Sequence, residues 1–352
     1  MVMKEGDIYL IRDRDLRVTP PVLSTYLKIG IAEDTPARVK QHQTGNPHKI
    51  VVTYQQSVPG KSQLEKFLHH YFSTDRTRGE WFWIDQTREA SDVMPVLTTH
   101  HNEQIGHQAN LVVIDVLKTN QDNGNVRAPS STELVISAEL QQAEELLKVA
   151  NAQHDIHDYN LRAQISTGNG IDGVITLNRK TSPDTFAKTA FIASLSPAEF
   201  ALCHSNGTEF VSTPSFLHTT RTLRTIDPAL NTAKGAAKAL APTGSLPVTN
   251  LVNPAVLRSS SIESEHHEWL ETRRDIVIHK WTVEQKKAQL KALIGDDQEI
   301  TGVLSWVRGV QTFSDKWSLS DAKENFPTEY QSFCTPNSDI AAVTIHVGKP
   351  YP

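Results

Sequence analysis

Only two cysteines, Cys203 and Cys334, occur in 352 residues, and their separation matches no metal-binding or redox spacing. A disulfide framework is therefore not expected, and a reducing, cytoplasmic setting is. No run approaches the roughly 20 apolar residues that cross a bilayer, so no membrane partner is expected. The opening MVMKEGDIYLI carries Glu5 and Asp7 where a signal peptide needs a long apolar stretch. Charge of one sign is also lacking: 35 basic and 40 acidic residues leave a formal charge of -5. Residues 1–100 hold 13 basic and 12 acidic side chains, and the remainder holds 22 and 28. A broadly basic nucleic-acid footprint is thus missing, although an average cannot exclude a small focused site. The chain does have 38% hydrophobic residues, enough to build packed cores in about two domains.

The first 84 residues alternate between strand and helix signals. Asp7–Arg12 and Tyr26–Ile31 read as an antiparallel pair, and Lys49–Tyr54 as a third strand. Between them, Asp34 or Thr35 is suited to cap a helix with Pro36 in its first turn, ended by Thr44-Gly-Asn-Pro47. A second helix is expected over 62–72, where Leu64, Phe67, Leu68, Tyr71 and Phe72 form an apolar stripe. Arg78–Ile84 closes the segment as a short strand, with Trp81 and Trp83 on one face as core or edge cover. The run Leu111–Leu117 reads as a further strand.

The rest of the chain contains an echo. Leu161-Arg-Ala-Gln-Ile165 and Ile171–Arg179 return as Leu290-Lys-Ala-Leu-Ile294 and Ile300–Arg308, at a constant offset of 129 residues. Each copy follows a helix-like segment, over 133–152 and 267–288, and each is followed by a Pro-x-Glu-aromatic run and a cysteine. The expected organisation is an α/β domain over 1–95, a connecting region over 96–128 and a first repeated α+β module over 129–204. A Thr/Ser/Ala/Pro-rich linker over 205–261 and a second repeated α+β module over 262–352 complete it.

Chemistry-bearing residues concentrate in the first domain. Tyr9 lies mid-strand, and Lys28 on the next strand precedes Gly30. Arg38 and His42, four apart, share one helix face, and Glu65 lies on the second helix. If their faces converge, these supply a phosphate anchor, a metal-binding carboxylate and proton-handling groups, the parts that phosphodiester hydrolysis needs. The adjacent histidines His69-His70 and His266-His267 have no thiolate or suitably spaced third ligand for zinc.

Asp7-Ile-Tyr9, Tyr26-Leu-Lys-Ile-Gly-Ile31, Arg38, Gln43-Thr-Gly-Asn-Pro47, Leu64–His69 and Arg78-Gly-Glu-Trp-Phe82 together resemble the GIY-YIG nuclease superfamily over residues 7–84. The resemblance is to its T5orf172 branch, related to the meiotically up-regulated protein family. It implies a small domain around a three-stranded antiparallel sheet flanked by helices, which hydrolyses DNA with one divalent metal, Mg²⁺ or Mn²⁺. The implied catalytic set is Tyr9, Lys28, Arg38, His42 and Glu65, with Glu65 as metal ligand. Lys28 stands where the second motif tyrosine is usual, and the late asparagine of many members has no match, Glu80 and His69 being the nearby candidates. Whether Tyr9 or Lys28 acts as base stays open, and so does a catalytically inactive protein that binds nucleic acid or a partner. The C-terminal modules are expected to bind DNA, a partner protein or one another.

Overall fold

The computed structural model describes residues 3–19, 21–181, 184–241, 246–336 and 339–349. Strand β1 (Glu5–Asp15) is central to the first sheet. β3 (Tyr26–Ala32), preceded by the two-residue β2 (Val22–Leu23), runs antiparallel along one edge of β1. β4 (Lys49–Pro59) runs antiparallel along the other edge. The hairpin of β5 (Arg76–Arg78) and β6 (Trp81–Trp83) extends the sheet beyond β3. The sheet therefore has six antiparallel strands rather than the expected three, because β2 prolongs the β3 edge and the hairpin supplies further pairing.

Alternation gives the sheet two unlike faces. Ile8, Leu10, Leu27, Ile29 and Phe82 point to one face and are fully buried, in a core shared with Leu64, Phe67 and Leu68 of helix α2 (Lys61–Tyr71). Tyr9, Ile11, Lys28 and Gly30 point to the other, where Tyr9, Ile11 and Ile50 pack with Val39 of helix α1 (Thr35–Gln43). The same parity removes the core alternative for the tryptophans. Phe82 takes the core position, and Trp83 is 49% exposed.

The local signals explain both helices. Asp34 caps α1 by accepting the Ala37 N–H at 3.0 Å, with Pro36 in the first turn. Gln43 ends it as a clamp: its side chain donates to the Asn46 and His48 carbonyls and accepts the Ile50 N–H at 2.9 Å. Gly60 enters α2 at φ 66°, a left-handed conformation suited to glycine.

Leu111–Leu117 is not a strand but the end of the helix Met94–Leu117. A seven-residue apolar run does not separate a strand from a helix packed on one side. Two longer helices, Ser131–Ile165 and Ser260–Leu293, lie antiparallel: Glu139 pairs with Lys286 at 2.6 Å, and His157 with Glu265 at 2.7 Å. Both begin at serine caps, Ser130 in a reciprocal capping box with Glu133.

The expected pair of self-contained modules is not observed. Strand Ile175–Thr181 pairs with Asp339–Ile345, and His204–Phe216 pairs with Leu304–Trp317, so the main sheets join the two segments. A lone helix with a short strand cannot cover its apolar face, whereas the joint assembly encloses two cores, one around Trp306 and one around Trp269. Much of the stretch expected as a linker is ordered into that assembly, as strand His204–Phe216 and helix Pro228–Leu240. Trp281 of the second long helix also inserts into the core of the first domain, packed with Val277 and Ile278. No helix among the described residues is long and apolar enough to cross a membrane.

Candidate functional site

The site lies on the polar face of the first sheet and at the β3 edge, where α2 brings Glu65; strand register builds the part on the face. Tyr9 is directly opposite Gly30, and a Cβ on Gly30 would lie 2.6 Å from the Tyr9 hydroxyl. The absent side chain is what lets the phenol ring lie across β3. The Tyr9 hydroxyl meets His42 Nε2 at 3.3 Å. Burial, ahead of opposing contributions from Arg38, raises the Tyr9 pKa above its ordinary value. Burial, followed by the charges of Lys28 and Arg38, lowers that of His42. The pair therefore favours a protonated phenol donating to a neutral imidazole.

Helix α1 places Arg38 and His42 on one side, one turn apart. Arg38 is exposed, its guanidinium held by Gln41 at 3.0 Å and left open to solvent. Lys28 is buried, 6% exposed, with its ammonium bonded to Glu80. Glu80 reaches it from the turn between β5 and β6, one residue before the Lys28–Trp81 pair.

Helix α2 positions Glu65 by a stripe of residues four apart. Lys61, buried, donates to the Ala32 carbonyl at 3.1 Å and pairs with Glu33 at 2.8 Å. His69 bonds the Ile29 carbonyl at 3.0 Å. Both tethers run to β3 or its end, so the residue midway between them, Glu65, is held towards the same strand. Glu65 is half-buried and makes no ion pair or hydrogen bond among the described residues. Burial first, and then the neighbouring Glu80, push its pKa up to about 7, against the opposing charges of Lys28, Arg76 and Arg38. Those charge couplings bring Tyr9, Lys28, Arg38, His42 and Glu65 into one electrostatic neighbourhood.

Two further residues belong to that neighbourhood. Glu80 holds Lys28, and Arg76 lies within charge reach of both Glu65 and Glu80. The run Arg78-Gly-Glu-Trp-Phe82 marks Glu80 only as a candidate for the missing late asparagine, not as the partner of Lys28. Arg76 had no signal, because its place depends on the hairpin geometry. The neighbouring Arg12, fully buried, is structural: it donates to Glu89 at 2.6 Å and to the carbonyls of Ser24, Ile84 and Asp85.

No group of three or more His, Cys, Asp or Glu side chains suited to hold a metal occurs among the described residues. The donor chemistry still fits a hard, hydrated divalent cation. Such an ion accepts a single protein carboxylate and keeps several waters, and it would supply the direct partner that half-buried Glu65 lacks.

A small α/β domain with this sheet, flanked by α1 and α2, is consistent with the GIY-YIG-like class of fold. Residues 6–97 match the family described as the T5orf172 domain, which assigns that segment to the superfamily and leaves the remainder of the chain unassigned. No curated protein and no solved structure matches the chain.

Proposed function

We propose that residues 6–97 carry a divalent-metal-dependent DNA endonuclease site. One observation carries this reading: a half-buried, unpaired Glu65 faces the same strand as a Tyr9–His42 hydrogen bond, within charge reach of Arg38 and Lys28. An ordinary surface would not leave a desolvated carboxylate without a partner beside three cations.

Glu65 would hold Mg²⁺ or Mn²⁺, which when bound supplies charge neutralisation at a phosphate oxygen. Arg38, exposed and forked, binds the scissile phosphate and offsets its growing charge. Tyr9 is a poor base because burial keeps its proton on. It acts instead as a relay, its oxygen accepting a proton from the attacking water while its own proton passes to neutral His42. Lys28 serves as a fixed cation, anchored by Glu80, rather than as the base. The new P–O bond forms from the water oxygen as the bond to the leaving sugar oxygen breaks, and that oxygen takes its proton from solvent.

The test is cleavage of plasmid, branched and single-stranded DNA by the full chain with and without Mg²⁺ or Mn²⁺. Wild-type cleavage that needs the metal and falls about a thousandfold or more in both Glu65→Gln and Arg38→Ala supports the reading. DNA binding without cleavage of any substrate sinks it and leaves a binding module.

A further inference from the structure

Beyond the candidate site, the β5–β6 hairpin and the end of the described chain enclose a second feature. A cleft of about 490 Å³ is walled by Arg76, Thr77, Arg78 and Gly79 on one side and by His346 and Lys349 on the other. Its two walls are fixed to each other through the backbone. The Lys349 N–H donates to the Arg76 carbonyl at 2.7 Å, and Gly348 lies so close to the Thr77 carbonyl that no side chain fits there. Three of the lining side chains are cations, and no carboxylate lines the cleft among the described residues. Asp75 and Glu271 affect Lys349 from outside it.

The positive charge continues beyond the lining residues. Arg273 of the second long helix lies close enough to Arg76 to feel its charge. Arg273 makes no ion pair among the described residues: it bonds neutral His70 at 2.8 Å, stacks over Trp269, and leaves its Nε without a partner. Burying Arg273 beside a like charge with no anion of its own is costly, and a bound anion is the physical remedy. Arg76 in turn lies within reach of Glu65 and Glu80, so the cleft begins where the candidate site ends.

We propose that this cleft seats the sugar-phosphate backbone of the nucleic acid flanking the phosphate at Arg38, with Arg78 and Lys349 each contacting one phosphate. The proposal rests on the nuclease reading for the identity of the ligand. It explains how a chain of balanced charge engages a polyanion. The binding surface is assembled from two distant stretches of sequence, each too sparse in lysine and arginine to stand out.

The experiment measures binding of a fluorescent duplex by anisotropy across a salt series, using the full-length Glu65→Gln protein so that the DNA stays intact. Adding Arg78→Ala and Lys349→Ala together should weaken binding roughly tenfold at about 50 mM salt and lower the slope of log K against log salt by about 2. The charge-preserving pair Arg78→Lys and Lys349→Arg should retain the parent slope. Lys238→Ala, on the exposed face of a remote helix, should change neither quantity. An unchanged affinity and slope in the double alanine variant overturns the proposal and leaves the cleft to an acidic protein segment. Equal weakening by the charge-preserving pair also overturns it. Failure of wild-type cleavage with the expected change in salt slope would sink the nuclease reading while leaving the backbone cleft standing.

Discussion

The two faces of the first sheet carry opposite duties on alternate residues of the same strands. On β3, Leu27 and Ile29 enter a core closed by α2 and Trp281, while Lys28 and Gly30 face the candidate site. The apolar face is over-determined, with many fully buried side chains sharing one load. The polar face depends on single contacts: one glycine under one tyrosine, one glutamate on one lysine. Tolerance to substitution should therefore switch with residue parity along a few positions of chain.

The largest effect tests whether the sheet also depends on its buried charge. Arg12→Ala leaves Glu89, partnered otherwise by Thr53, without its cation, and should cost about 3–5 kcal/mol in urea unfolding of the full chain. A cost below 1 kcal/mol would mean that the carbonyl contacts of Arg12 contribute little. Next, Leu27→Ala should cost about 3 kcal/mol by cavity formation, while the protein that remains folded keeps its metal and DNA affinity. Loss of both together would break the separation of the two faces.

Gly30→Ala should do the reverse. The added methyl must displace the Tyr9 ring, so DNA cleavage should fall about ten- to a hundredfold with a smaller change in the melting midpoint. The smallest effect concerns pH. Glu65 holds its proton more tightly folded than unfolded, with a folded pKa of about 7 against an ordinary 4.5. The wild type therefore loses stability as pH rises from 4.5 through 7, relative to Glu65→Gln. The variant should be the more stable by about 1–2 kcal/mol at pH 8, and indistinguishable below pH 4, in metal-free thermal unfolding. By the same proton competition, Mn²⁺ affinity of the wild type should drop about tenfold per pH unit below pH 7.

How much of this was legible follows the range of the interactions. Asp34 and Pro36 act within a few residues, so α1 could be read directly. The five candidate residues were named from the family resemblance, whose motifs fall on short elements in order. Their couplings could not be read there: that Lys28 is held by Glu80 depends on the hairpin folding against β3. The C-terminal region was hardest. Its echo suggested two independent units, yet the strands pair across a hundred or more residues, as Glu209 does with Gln311, and such pairing leaves no local trace. The Leu111–Leu117 run failed for a simpler reason, since its apolar content suits either a strand or a helix.

Trp281 closes the core of the first domain, yet it is encoded about 180 residues after Leu97, the last N-terminal member of that core. At ribosomal speeds of about 5–20 residues per second, the nascent N-terminal segment waits roughly ten to forty seconds before that tryptophan is made. During this interval the sheet is exposed on the side where the helix will dock. The order of synthesis thus makes completion of the candidate site's scaffold one of the last events in the birth of the molecule.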